Sequence, residues 1–203
     1  MRKHVGAHWT RAQRAVSRYR MEIAGRIVRD VERLSSFTED IQAAGRVPGS
    51  RTLRCRLASD VPACEKLGEP EVVELVRLRT ASGRPVCIEH TCLPRRAWGL
   101  VEHAELDSAS LYALLENHGE RIVRSEDLLI ARLASEEELH WLGRTAPLSV
   151  AAISRLCFDD RDRAIELTEN VLIGDDYVFR FALKRWQGTE RRSTALAPAR
   201  PAR

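Results

Sequence analysis

Apolar and polar residues alternate most regularly in the middle of the chain. Residues 71–80 and 84–93 are both rich in β-branched and aliphatic side chains, and Ala81-Ser82-Gly83 separates them, a pattern that predicts a β-hairpin. A three-residue loop with glycine in the left-handed position would set Thr80 opposite Arg84 and Arg77 opposite Cys87. Side chains alternate with period two along a strand, so Arg77, Arg79, Cys87 and Glu89 fall on one face. Before the hairpin, Val47-Pro48-Gly49-Ser50 reads as a turn. Residues 52–58 read as a strand with Leu53, Cys55 and Leu57 on one side, and residues 62–67 as a short helix closed by Gly68. After Pro94 a loop is expected, then Asp107-Ser108 capping an amphipathic helix that runs to about Asn117 and turns Leu111, Leu114 and Leu115 inward. A long strand over 121–133 and a helix over 135–142 follow. Strands over 148–158 and 164–173 are joined by Asp159-Asp160-Arg161-Asp162, and a last strand covers 177–186. The pattern is an antiparallel β-sheet with helices on one side, an α+β domain. Upstream, Trp9, Ala12, Val16, Tyr19 and Ile23 have helical spacing, with Arg11, Arg14, Arg18 and Arg20 mostly off that stripe and Gly25 as its stop.

Composition narrows the class. A chain of 203 residues, 44% hydrophobic and 31% charged, is long enough for one domain with its own core. No apolar run approaches the roughly 20 residues of a membrane span, and the N-terminus lacks a secretory pattern. A cytoplasmic protein without a membrane partner is therefore expected. The five cysteines are odd in number and form no C-x-x-C pair, which indicates neither a disulfide framework nor a zinc site. They read as buried small hydrophobes. Charge is uneven. Residues 1–34 hold nine Lys or Arg against three Asp or Glu, residues 188–203 hold four against one, and the middle is mildly acidic. Basic ends suit nucleic acid and equally suit solvated tails; the last sixteen residues have the composition of a disordered one.

The hairpin carries the clearest chemistry. Two guanidiniums two residues apart form a fork that fits phosphate or carboxylate bidentately, and Glu89 would accept from hydroxyls of the same ligand. The competing reading is an exposed Arg-Glu cross-strand pair of little energetic weight. Ser110 and Tyr112 lie in the first turn of their helix, where free N–H groups and the macrodipole favour anions; capping by Ser110 and packing by Tyr112 is the alternative. Catalytic patterns are missing: no G-x-S-x-G, no P-loop, no Cys-His pair, and His140 does not complete H-E-x-x-H. His90 follows Glu89 but faces the other side of the strand. No enzyme activity, metal or cofactor is expected.

The order of Leu34-Ser-Ser-Phe-Thr-Glu-Asp40, Gly45-x-x-Pro-Gly-Ser50, Val76-Arg-Leu-Arg79, Gly83-x-Pro-x-x-Ile-Glu89, Leu93-Pro94, Ser110-Leu-Tyr112, Ser135-Glu-Glu-Glu138 with Leu142-Gly143, and Gly174-Asp175-x-Tyr177 resembles the UTRA domain. That is the effector-binding domain of the histidine-utilisation-repressor subfamily of GntR transcription factors. The resemblance runs from about Ile27 to about Trp186. It implies the fold shared with chorismate lyase, a homodimer formed through the sheet, and a buried effector site. In that site Arg77, Arg79, Thr38 and Ser110 would hold an anionic end, while Glu89, Tyr112 and Glu166 would read the polar remainder. Phe37 and Thr38 come from a segment that crosses beneath the sheet; a hydroxyl beside free N–H groups there makes an anion cradle, although Ser/Thr before Glu-Asp also marks a helix start. Leu172 stands where sugar-phosphate-responsive relatives usually carry tyrosine, and Ile173 where arginine commonly precedes Gly-Asp. A drier wall follows, and a carboxylate competes with a sugar phosphate as the ligand. Full-length relatives begin with a winged helix-turn-helix, whose helix entry and glycine-rich wing residues 1–33 do not show. The expected division is a basic remnant or replacement over 1–33, the effector domain over 34–187 and a basic tail over 188–203. The expected function is sensing of a small anionic metabolite without DNA binding by the chain alone. Alternatives are an interaction module that dimerises with an intact paralogue, and a chorismate-lyase-like enzyme suggested by fold analogy only.

Overall fold

The computed structural model describes residues 24–145, 147–183 and 185. The helix expected near Trp9 and the tail after 187 lie outside them. Strand β1 (Ile27–Asp30) leads into helix α1 (Phe37–Ala43), strand β2 (Pro48–Ser59) and helix α2 (Pro62–Leu67). The hairpin of β3 (Glu71–Ala81) and β4 (Arg84–Pro94) follows, then helices α3 (Arg95–Trp98) and α4 (Leu111–Asn117). Strand β5 (Ile122–Leu133), helix α5 (Glu136–Leu142) and strands β6 (Ser149–Asp159), β7 (Ala164–Ile173) and β8 (Tyr177–Arg180) complete the order. Six strands form one sheet, β2-β3-β4-β7-β6-β5, with every neighbouring pair antiparallel. The α+β class expected from the sequence is the one observed, but the helices pack on both faces of the sheet and not on one side, because both faces carry apolar residues to cover.

The hairpin differs from expectation in its turn. Ala81 pairs Arg84, so the loop is the two residues Ser82 and Gly83. Both have positive φ, 51° and 79°, as a type I′ turn requires. A register shift after Arg79 then sets Arg77 opposite Glu89 and Arg79 opposite Cys87. The expected pairing of Arg77 with Cys87 is thus corrected by two positions. An even shift keeps parity, and the four residues still share a face.

Other boundaries move as well. Pro48, Gly49 and Ser50 begin β2 rather than form a turn, because they pair with Ala81, Thr80 and Arg79. The loop expected after Pro94 contains α3. Ser110, not Asp107-Ser108, caps α4, and Asp107 instead accepts from the Thr52 N–H and hydroxyl at 2.8 and 3.0 Å. The last strand stops at Arg180. It pairs in parallel with β1 in a separate two-stranded sheet, for which no local pattern speaks. Of the cysteines, Cys87, Cys92 and Cys157 are buried as expected, but Cys55 is exposed and Cys64 half-buried.

The sheet has two working faces. On the face of Arg77 and Glu89, Ile41 of α1 packs with Ala81, Cys87, Leu172 and Tyr177. Farther along that face, Ala97 of α3 and Leu111 and Leu115 of α4 pack with Leu93, Cys157 and Ile165. On the opposite face, Leu142 of α5 joins Val76, Leu78, Ile88 and Ile173, and Ala63 and Leu67 of α2 join Val72, Cys92 and Leu167. Each fully buried leucine or isoleucine stabilises by about 1.5–3 kcal/mol, which fixes where α1 and α4 sit and so fixes the cavity between them.

Candidate functional site

Strands β3 and β4 supply the floor. Arg77, Arg79 and Glu89 are 2%, 3% and 6% exposed, far more buried than a surface cross-strand pair. Arg77 Nη2 donates to Glu89 Oε1, and Arg79 Nε lies 3.9 Å from Glu89 Oε2. Two guanidiniums therefore share one carboxylate. Helix α1 supplies one wall, held by a capping box: Ser36 Oγ accepts from the Glu39 N–H at 3.2 Å and Glu39 Oε2 accepts from the Ser36 N–H at 2.8 Å. This sets Phe37 against Arg79, whose guanidinium carbon lies 4.3 Å from the ring centroid. Helix α4 supplies the facing wall. Ser110 Oγ accepts from the Ala113 N–H at 3.4 Å, so the cap and the wall are one residue, and Tyr112 places its hydroxyl 3.4 Å from Cys157 Sγ.

All eight residues singled out in the sequence, Phe37, Thr38, Arg77, Arg79, Glu89, Ser110, Tyr112 and Glu166, line this single cavity. Its enclosed volume is about 30 Å³, and the roughly 470 Å³ of empty space around it includes open solvent. Leu172 is also part of the wall, whereas Ile173 lies in the core of the opposite face. Only the first of these two replacements alters the cavity.

Sequence reasoning missed Arg29, Arg155, Ser35, Ser36, Leu111, Thr168 and Asn170, which complete the lining. Arg155 is clamped: Asp127 accepts from its Nε and Nη2 at 2.6 to 3.0 Å, and the Ser35 carbonyl accepts from Nη1 at 3.0 Å. Arg29 lies 3.7 Å from Asp40, whose other oxygen accepts from Ser35 Oγ at 2.6 Å. A signal existed for Thr168 and Asn170. With Glu166 they place polar side chains at every second position of a strand whose remaining residues are mostly apolar, a stripe that only a polar interior would select.

The electrostatics are asymmetric. Burial alone would push Glu89 upward, but Arg77 and Arg79 outweigh it and hold the carboxyl below its ordinary value. Burial, followed by the charge of Glu89, pushes Glu166 the other way. Burial also lowers Arg79, with Glu89 opposing and Arg77 adding to the effect, and raises Tyr112 well above its ordinary value with Glu166 contributing. Four buried nitrogens of the floor, Nε and Nη1 of Arg77 and of Arg79, have no hydrogen-bond partner in the protein, nor do Glu166 Oε2 and Thr168 Oγ1. Unsatisfied buried donors cost about 1–3 kcal/mol each and more when charged, so four at one point set the floor apart from the rest of the core. His90 faces the other side of the sheet from Glu89 and lies 3.6 Å from Glu74.

The family model for the UTRA domain matches residues 43–178. The HTH-type transcriptional repressor NagR of Bacillus subtilis is 30% identical over 169 residues, covering 81% of this chain and 67% of NagR. The HTH-type transcriptional repressor PhnF of Mycolicibacterium smegmatis is 30% identical over 155 residues, covering 72% of this chain and 62% of PhnF. The chain thus spans about two thirds of the length of these relatives. Among solved structures, the effector domain of PhnF from Mycobacterium smegmatis superposes with a TM-score of 0.72 at 25% identity over 78% of this chain and all of that one. The ligand-binding domain of a GntR-family regulator from Bordetella bronchiseptica gives 0.61 at 28% identity over 68% and 89%. No helix of the described residues is long and apolar enough to cross a membrane.

Proposed function

The chain belongs to the UTRA family, the ligand-binding effector domains of GntR-type transcriptional regulators, and from that premise we propose that it senses a small anionic metabolite through Arg77 and Arg79. The observation that carries this reading is the set of four unpartnered guanidinium nitrogens on the cavity floor. A phosphate or carboxylate accepts from such a fork in two parallel bonds. It also supplies the charge that two arginines sharing one glutamate leave uncompensated. Thr38 and Ser110 offer hydroxyls at the rim of the same cavity, while Glu89, Tyr112 and Glu166 face the remainder of the ligand, with Phe37 stacked behind Arg79. Leu172 makes one wall apolar, which favours a ligand with a carboxylate or phosphate at one end and a less polar body. Residues 34–187 form the sensing unit in this reading.

Thermal denaturation of the chain against inorganic phosphate, sugar phosphates and small carboxylates tests it. A ligand at one hundred times its dissociation constant adds about 2.7 kcal/mol to the folded state. The shift should vanish when Arg77 and Arg79 are both replaced by methionine. A shift that persists in that variant, with circular dichroism unchanged, overturns the assignment.

A homodimer is part of the same proposal. Strand β5 is a sheet edge, and its Leu128, Ile130 and Leu133 are 59%, 58% and 62% exposed. Native edges are usually blunted by charge, and β5 carries Arg124, Glu126, Asp127 and Arg132, so its exposed aliphatic stretch around Leu128 and Ile130 is the part suited to a second copy. Light scattering on Leu128→Glu/Ile130→Glu should give a monomer where the parent chain is a dimer; a monomeric parent removes this part of the proposal.

A further inference from the structure

The hairpin has a second cluster of chemistry on the side that faces away from the cavity. Glu74 and Cys92 are directly opposed on β3 and β4, and His90, two residues before Cys92, shares their face. His90 Nε2 lies 3.6 Å from Glu74 Oε1 and 3.9 Å from Cys92 Sγ. One donor atom from each of the three falls within 4.8 Å of the others, the only such trio of Cys, His, Asp or Glu among the described residues. We propose that Glu74, His90 and Cys92 bind a single thiophilic divalent cation of the zinc class.

Geometry supports the donor set. Bonds of about 2.0–2.3 Å to sulfur, imidazole nitrogen and carboxylate oxygen, at tetrahedral angles, place neighbouring donors about 3.4–3.7 Å apart, close to the spacings observed. The mixture of one thiolate, one imidazole and one carboxylate is selective for zinc over calcium or magnesium, which take oxygen alone. The carboxylate is already oriented, because its second oxygen accepts from Arg56 Nε at 2.6 Å and Oε1 is the one turned to His90. An outer hydrogen bond of this kind fixes a metal-binding carboxylate in place. Glu74 and Cys92 are each 5% exposed, while the His90 side chain is 32% exposed and leaves a path for entry. Three protein ligands leave one tetrahedral position toward solvent, as in open zinc sites. Glu169, which faces His90 across the β4–β7 register, adds negative charge nearby.

An ion pair of His90 with Glu74 is the simpler explanation for those two residues. It gives no reason for a buried cysteine to converge on the same imidazole nitrogen. A cation there would tie β3 to β4 one residue away from Glu89, directly behind the cavity floor.

Cobalt(II) titration of the tag-free full chain under reducing conditions decides the matter, because thiolate ligation gives a near-ultraviolet charge-transfer band. The expected result is one equivalent bound with that band, displaced by zinc. Cys92→Ser should abolish the band, and His90→Ala, which removes a direct ligand, should weaken binding by more than the roughly 10- to 100-fold that loss of an outer-shell partner costs. Cys55→Ser and Cys64→Ser should leave both unchanged. His90 is part-exposed, so His90→Ala keeps its fold and decides even if Cys92→Ser disturbs the core. Absence of the band in the parent chain, its persistence in Cys92→Ser, or unchanged affinity in His90→Ala each overturns the proposal.

Discussion

Two arginine clusters meet at one cavity and differ in how completely the protein satisfies them. Arg155, in the wall, gives Nε and Nη2 to Asp127 and Nη1 to the Ser35 carbonyl. Arg77 and Arg79, in the floor, share Glu89 and leave four buried nitrogens without acceptors. All three are buried to a similar degree, so burial alone does not separate a scaffold arginine from one held ready for a ligand. Donor satisfaction does. The wall arginine joins β5, β6 and the segment before α1, and its loss should be felt as stability; the floor arginines should be felt as affinity.

The largest expected effect lies in the wall. Asp127→Ala strands the Arg155 charge inside the protein, and removing one partner of a buried pair costs roughly 3–5 kcal/mol. Asp127 is 26% exposed, which brings the expected loss to the low end, about 2–3 kcal/mol in urea unfolding. A loss under about 1 kcal/mol would erase the distinction between wall and floor. The next effect lies in the floor and has the opposite character. Arg79→Met relieves two donors that nothing in the protein satisfies but also loses the ion pair with Glu89 and the stacking on Phe37, and these opposing terms should leave stability within about 1 kcal/mol while phosphate affinity falls roughly thirty-fold, the equivalent of about 2 kcal/mol for a hydrogen bond to a charged group. Calorimetric titration that shows equal phosphate binding in parent and variant would assign Arg79 to the scaffold with Arg155.

The same contrast explains what could be read from the chain alone. The floor was legible because it is local: Arg77, Arg79 and Glu89 sit on two strands joined by a short turn, and parity of side chains survives the two-residue error in register. Phe37, Thr38 and Glu166 came from what the family resemblance implies, whereas Ser110 and Tyr112 were also legible from their place in the first turn of an amphipathic helix. Arg155 was not legible. It is an inward charge within a strand read by its apolar residues, and its partner Asp127 is 28 residues away on a neighbouring strand. Arg29 was hidden in the same way, since β1 exists only through parallel pairing with β8 at the far end of the domain and reads locally as linker. Helix starts shifted where two capping residues competed: Asp107 is drawn off by Thr52, which leaves the cap to Ser110.

The smallest effect concerns Glu166, the cavity acid whose burial outweighs the partly offsetting charge of Arg155. Glu89 is held low by Arg77 and Arg79 against the cost of burial. Its contribution to stability is therefore complete above its unfolded value and is lost only as pH falls through its lowered folded value. Glu166 is raised by burial and by the charge of Glu89, so its sign is reversed: it favours the folded state below its unfolded value and loses that contribution as pH rises through its raised folded value. Between the two values Glu89 is ionised and Glu166 takes up or releases its proton, which sets the charge that an incoming anion meets. Affinity for phosphate should thus weaken as pH rises through the Glu166 transition, by a few-fold and not more, because the floor charges dominate. Glu166→Gln removes this titration and should flatten the profile while leaving the low-pH affinity near that of the parent. A profile of the same slope in the variant would show that the phosphate itself, or another group, titrates in that window, and would separate Glu166 from the anion-binding floor.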